Sequence, residues 1–106
     1  YASDAVACID YCLNQGADII TNSWSGGDAN PALEDVIKQA HDQDVLFVVA
    51  GGNVGEDLDA APSYPASYAA NYSNVVVVGS TNYKDGLSNF SNYGAKAVHL
   101  GAPGEW

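Results

Sequence analysis

The sequence of 106 residues predicts an α/β fold: a three-layer, doubly wound, mostly parallel sheet, held only incompletely by this chain. Two observations carry that expectation. Segments of helical and strand character alternate along the first half with short links between them. The runs VLFVVA and VVVVGS are apolar without alternation, the pattern of strands covered on both faces of a parallel sheet. The length suits one domain, and such a chain buries roughly 65% of its unfolded surface, enough for one modest core.

Residues 1–15 carry a helical apolar period and stop at Gly16, a residue suited to a helix C-terminus. Cys8 and Cys12, four apart, share a face there with Ala5 and Ile9, and read as small buried apolar residues. ADIITNS is a short β-branched strand, and SGGDAN is a loop. Asn30-Pro31 then reads as an N-cap followed by proline in the first turn. Leu33, Val36, Ile37 and Ala40 form the apolar stripe of a second helix running to about Gln43, and VLFVVA follows as a strand. The stretch EDLDAAPSYPASYAANYSN, with Pro62 and Pro65, is a long loop. VVVVGS is a third strand. TNYKDGLSNFSNYG reads as turns with a short hairpin at Asp85-Gly86, and AVHLGAPG as a fourth, shorter strand that includes His99. Tyr1 is not an initiator methionine, so the chain reads as part of something longer or as a processed product.

Thirteen acidic residues against three lysines give a net charge of -10. That balance argues against nucleic acid and against an anionic membrane, both of which need a positive surface. It suits a calcium ion or a basic peptide, although most of the acids read as a solvated surface. No apolar run reaches the roughly 20 residues of a membrane span. Two N-x-S sequons, at Asn71 and Asn89, point to a secretory route.

The glycines are the informative residues. Gly51, Gly52 and Gly55 end an apolar strand, but their spacing is not G-x-G-x-x-G, no helix opens directly after them, and acids follow. A dinucleotide loop is therefore excluded, and a P-loop fails for want of Gly-Lys-Ser/Thr. TNSWSGG and AGGNVG instead put glycines and small polar residues at two strand ends, where ligands meet a parallel sheet. Such ends let a foreign backbone approach and pair with free N–H and C=O groups. An asparagine at the same place can aim its NH₂ at a developing oxyanion.

In order and approximate spacing, the segments GADIITNSWSGG, DVLFVVAGGNVG, SYPASY, NVVVVGSTN, LSNFSNYG and GAPG resemble the subtilisin-like serine proteases, the subtilases. The resemblance covers nearly the whole chain and implies that residues 1–106 are the central part of one such peptidase domain. It implies further that Ser23, Trp24 and Ser25, with Gly26 following, pair with a peptide or protein substrate as an added strand. Trp24 would wall a pocket on the substrate's non-primed side. Ala50, Gly51 and Gly52 would form the other wall of the primary specificity pocket, with Ser63 near its floor. Asn53 falls on the oxyanion-hole asparagine. Ala66 and Tyr68 match a region whose backbone carbonyls bind a cation, calcium being the candidate.

Two departures stand out. Ser25 occupies a place where the family usually has glycine, which narrows the pocket. The triad is absent: the family's aspartate and histidine lie upstream of Tyr1 and its nucleophilic serine lies downstream of Trp106. His41 and His99 fall on neither position and read as structural. The chain alone is therefore expected not to hydrolyse peptides. Its partners would be flanking segments, or separate chains, carrying Asp, His and Ser. The alternative is a non-catalytic α/β peptide-binding module or an inactive protease fragment. Glu56, Asp57 and Asp59, just after Asn53, read as a solvated loop or as a preference for basic substrate residues.

Overall fold

A computed structural model describes residues 1–106. Helix α1 (Ala2–Asn14) leads into β1 (Ile19–Asn22); α2 (Pro31–Asp42) leads into β2 (Leu46–Ala50). A 3₁₀ turn (Ala66–Ala70) precedes β3 (Val75–Thr81), and β4 (Leu100–Pro103) closes the series. The four strands form one sheet in sequence order, each parallel to its neighbour.

Local chemistry explains the boundaries. Gly16 takes φ +77°, the left-handed conformation that ends α1 without strain. Asn30 caps α2 through Oδ1, which accepts from the N–H groups of Ala32 and Leu33 at 3.0 and 3.1 Å, and Pro31 starts the first turn. The expected stripe of Leu33, Val36, Ile37 and Ala40 is buried, and it packs with Ile9 and Leu13 of α1 onto Ile20, Phe47, Val49, Val75 and Val77. Each large aliphatic or aromatic side chain so buried contributes about 1.5–3 kcal/mol.

The sheet is covered less evenly than the apolar runs suggested. In β2 and β3 burial alternates: Phe47, Val49, Val75 and Val77 are buried, whereas Val48, Val76 and Val78 are only half-buried. Both helices pack on the first face, so this chain builds the sheet and one helical layer of the three-layer arrangement. Cys8 is exposed, contrary to the expectation of burial, because it faces an open groove beside α1; Cys12 is partly buried, lining the groove while packing against the core. The long loop contains the 3₁₀ turn, which the sequence did not suggest. The Asp85-Gly86 turn forms with Asp85 at φ +60°, but the hairpin is a single antiparallel bridge between Thr81 and Leu87. β4 begins at Leu100, so His99 precedes it; the His99 Nδ1 accepts from the Val77 N–H at 2.9 Å.

Candidate functional site

The carboxyl ends of β1 and β2 carry two strips of chain facing a common crevice. The first strip is Ser23 to Gly27. No backbone N–H or C=O of Ser23, Trp24 or Ser25 is hydrogen-bonded within the chain. Beyond them the strip is anchored: Gly26 N–H donates to Ser63 Oγ at 3.1 Å, and Gly27 and Tyr64 exchange two backbone bonds as an antiparallel bridge. Ser63 is fixed in turn by Ser67, whose Oγ accepts from its N–H at 2.9 Å. Trp24 is 36% exposed, so it is not a core aromatic. It lines a groove of about 650 Å³ together with Ala2, Ala5 and Cys8 of α1.

The second strip is Ala50 to Asn53. Gly51 N–H extends the β2–β3 ladder by donating to Val78 C=O at 2.9 Å. Gly52 then turns the chain at φ +108°, a value a side chain rarely tolerates, and a Cβ there would collide with Asn92 Nδ2 and lie 3.0 Å from Ser25 Oγ. Asn53 follows, exposed, with neither its amide nor its backbone groups bonded within the chain. Ser23, Gly51, Gly52 and Asn53, with Thr21, Val78 and Pro103, line a crevice of about 380 Å³ at the strand ends. Of the residues singled out in the sequence, Ser23 and positions 50–53 share this crevice; Trp24, Ser25 and Gly26 line the groove beside α1, with Ser25 Oγ approaching Gly52 and Ser63 holding Gly26.

The proposed cation region, Ala66 and Tyr68, lies apart from the crevice in the 3₁₀ turn. The Tyr68 C=O accepts from the N–H groups of Asn71 and Tyr72, both at 3.0 Å, which occupies both of its lone pairs. Its phenol is buried, accepting from Asn30 N–H at 2.8 Å and donating to Asn30 C=O at 2.9 Å, and burial pushes its pKa upward. Ala66 is buried at the start of the same turn. Tyr68 thus braces the start of α2, and its carbonyl has no lone pair left for a cation. The acids after Asn53 are partly structural as well: the Asp59 carboxylate accepts from the N–H groups of Lys96 and Ala97, at 3.1 and 2.8 Å.

One Ser-His-Asp series does come together, and it lies elsewhere. Ser73 Oγ is 3.3 Å from His41 Nε2, and His41 Nδ1 is 3.5 Å from Asp42 Oδ1. His41 ends α2 and Ser73 precedes β3, so the group sits at the amino ends of the strands. Asn53 lies past the carboxyl end of β2, about 16 Å further along the strand direction. The His–Asp separation exceeds a hydrogen bond, and the side chains of both residues are solvent-exposed (42% and 63%), so nothing fixes the imidazole as a base.

Asn92 was not singled out in the sequence. It is 1% exposed, and its side chain bonds three backbone groups on either side of Asn53. The segment NFSNYG carried the only signal, and it gave no hint of partners some 40 positions away.

A parallel α/β sheet with a free backbone strip and an unpaired asparagine at its strand ends defines the class, an open α/β sheet of the kind that meets ligands at those ends. The subtilase family model matches residues 1–106, and the chain belongs to that family. It is 39% identical over 98 residues to thermitase of Thermoactinomyces vulgaris, covering 92% of this chain and 32% of that protein. It is 39% identical over 97 residues to the major intracellular serine protease of Bacillus subtilis, covering 92% and 30%. The crystal structure of a cold-adapted subtilisin-like serine proteinase superposes with a TM-score of 0.82 at 31% identity, over 98% of this chain and 36% of that one. The chain thus spans about a third of the length of these relatives.

Proposed function

We propose that residues 1–106 form the central segment of a subtilisin-like serine endopeptidase domain, supplying the substrate cleft and the oxyanion-hole donor. Asn53 carries this reading: in a subtilase chain, its amide stands free on the rim of a strand-end crevice that Ser23 also lines, at the start of the unpaired backbone of Ser23–Ser25. A peptide substrate would lie along that backbone as an added strand, with Trp24 against its non-primed side. Its scissile side chain would enter between Ser23–Gly26 and Ala50–Gly52, above Ser63. A serine from outside this segment would attack the carbonyl, a histidine would act as base and then acid, and Asn53 Nδ2 would donate to the oxyanion before the acyl-enzyme forms.

The secretory location remains a proposal supported by the exposed sequon asparagines Asn71 and Asn89; one relative is named an intracellular protease, so membership of the family does not imply secretion.

Asn53→Ala in the complete protease domain tests the function. Turnover should fall by about 10²- to 10³-fold with KM within twofold and thermal stability unchanged. A kcat within twofold of the parent would leave Asn53 as turn chemistry and place the oxyanion donor elsewhere.

A further inference from the structure

Resting on that reading, we infer that Asn92 is a positioning residue that holds Asn53 in the geometry of a donor. Asn53 itself is exposed and makes no bond within the chain, so its placement depends on its neighbours. Those neighbours converge on one side chain. Asn92 Oδ1 accepts from the N–H groups of Val54 and Glu56 at 3.1 and 3.0 Å, and Asn92 Nδ2 donates to Gly51 C=O at 2.9 Å. The orientation of the amide is fixed, because two partners are donors and the third is an acceptor. The Asn92 N–H adds a fourth bond, to Gly52 C=O at 2.9 Å. Residues 51, 52, 54 and 56 are thus tied to a single buried residue, leaving Asn53 as the projecting point of the loop.

Asn92 is anchored as firmly as what it holds. Ser91, 2% exposed, accepts from Ser80 N–H of β3 and donates to Asn92 C=O, both at 2.9 Å. Gly55 N–H and Phe90 C=O add a parallel tie at 2.9 Å. The chain of bonds therefore runs from the central strand β3, through Ser91 and Asn92, to the loop that carries Asn53. Displacing a catalytic group by about 1 Å can cost up to 10²-fold, so the rigidity of this connection bears directly on turnover.

The test is a double-mutant cycle in the complete protease domain with Asn53→Ala, Asn92→Ala and the pair. Asn92→Ala should lower kcat roughly 10- to 100-fold with KM within twofold. In the Asn53→Ala background the same change should cost less than about threefold, because there is no donor left to misplace. Asn92→Asp keeps both accepted bonds and loses the one donated to Gly51, so its kcat should lie between those of the parent and Asn92→Ala. If Asn92→Ala does not fold, the Asp variant carries the cycle. Equal losses in the two backgrounds, or an effect on KM alone, would overturn the positioning role while leaving Asn53 as the donor. An Asn53→Ala enzyme with undiminished kcat would instead remove the oxyanion reading and this inference with it.

Discussion

Ser25 Oγ reaches to within 3.0 Å of where a Cβ on Gly52 would sit, so it occupies space between the two strips that would flank a substrate side chain. A small side chain fits such a gap and a large aromatic one does not. Replacing Ser25 by glycine in the complete domain should therefore raise kcat/KM for peptides with leucine or phenylalanine before the scissile bond, relative to alanine, by about tenfold or more. An unchanged ratio in a peptide-library cleavage assay would show that Ser25 Oγ does not limit the pocket. Residues of this kind were legible in the sequence when their chemistry was local. Gly-Gly-Asn after an apolar run announced a strand end open to an approaching backbone with an asparagine beside it, and Gly52 and the exposed Asn53 stand at the end of β2. Asn92 was not legible, because its three side-chain bonds span 36 to 41 positions and a buried asparagine looks like any other until its partners are in place.

Elements were legible for the same reason at a larger scale. The second helix declared itself through cap, proline and stripe, all within twelve residues, and α2 runs Pro31–Asp42 as a result. The 3₁₀ turn Ala66–Ala70 did not, because what holds it is distant. Tyr68 clamps Asn30 at the start of α2, and Tyr72 donates to Glu34 Oε1 of the same helix at 2.9 Å. The bond to Glu34 raises the Tyr72 pKa above a phenol's ordinary value of about 10, since ionisation would lose the donor and place two anions together. A raised value favours the neutral phenol in the folded state. The resulting stabilisation is complete below about pH 10 and is lost as pH climbs through the raised folded value. Tyr72→Phe should thus be less stable than the parent at pH 8, with the gap in melting temperature closing as pH rises above about 10. A gap that stays constant across that rise would mean the phenol contributes packing but no ionisation-linked bond.

The molecule as a whole is more open than its size warrants. It exposes 6347 Å², whereas a compact monomer of 11.0 kDa exposes about 5600 Å². Part of the exposed apolar surface lies where the sheet stops. β1 and β4 each have a neighbour on one side only, and Ile19 and Leu100 on them are 59% and 48% exposed. At the end of β1 the Asn22 Nδ2 is buried without a partner, a deficit of about 1–3 kcal/mol wherever nothing meets it. Apolar edges with unpaired backbone seek other strands. Residues 1–106 produced alone should therefore self-associate in sedimentation at micromolar concentration, and should not react with a fluorophosphonate probe. The complete domain should sediment as a monomer and carry the probe on a serine outside these residues, with Ser73→Ala changing neither behaviour. Labelling of the isolated segment at Ser73 would move the chemistry to His41 at the amino ends of the strands, and the crevice at Asn53 would then be a binding groove. A monomeric, unlabelled segment would mean that its open edges are tolerated, and would favour the non-catalytic peptide-binding module. Only association without labelling, set against a labelled complete domain, fits a cleft that depends on flanking sequence for both its missing strands and its nucleophile.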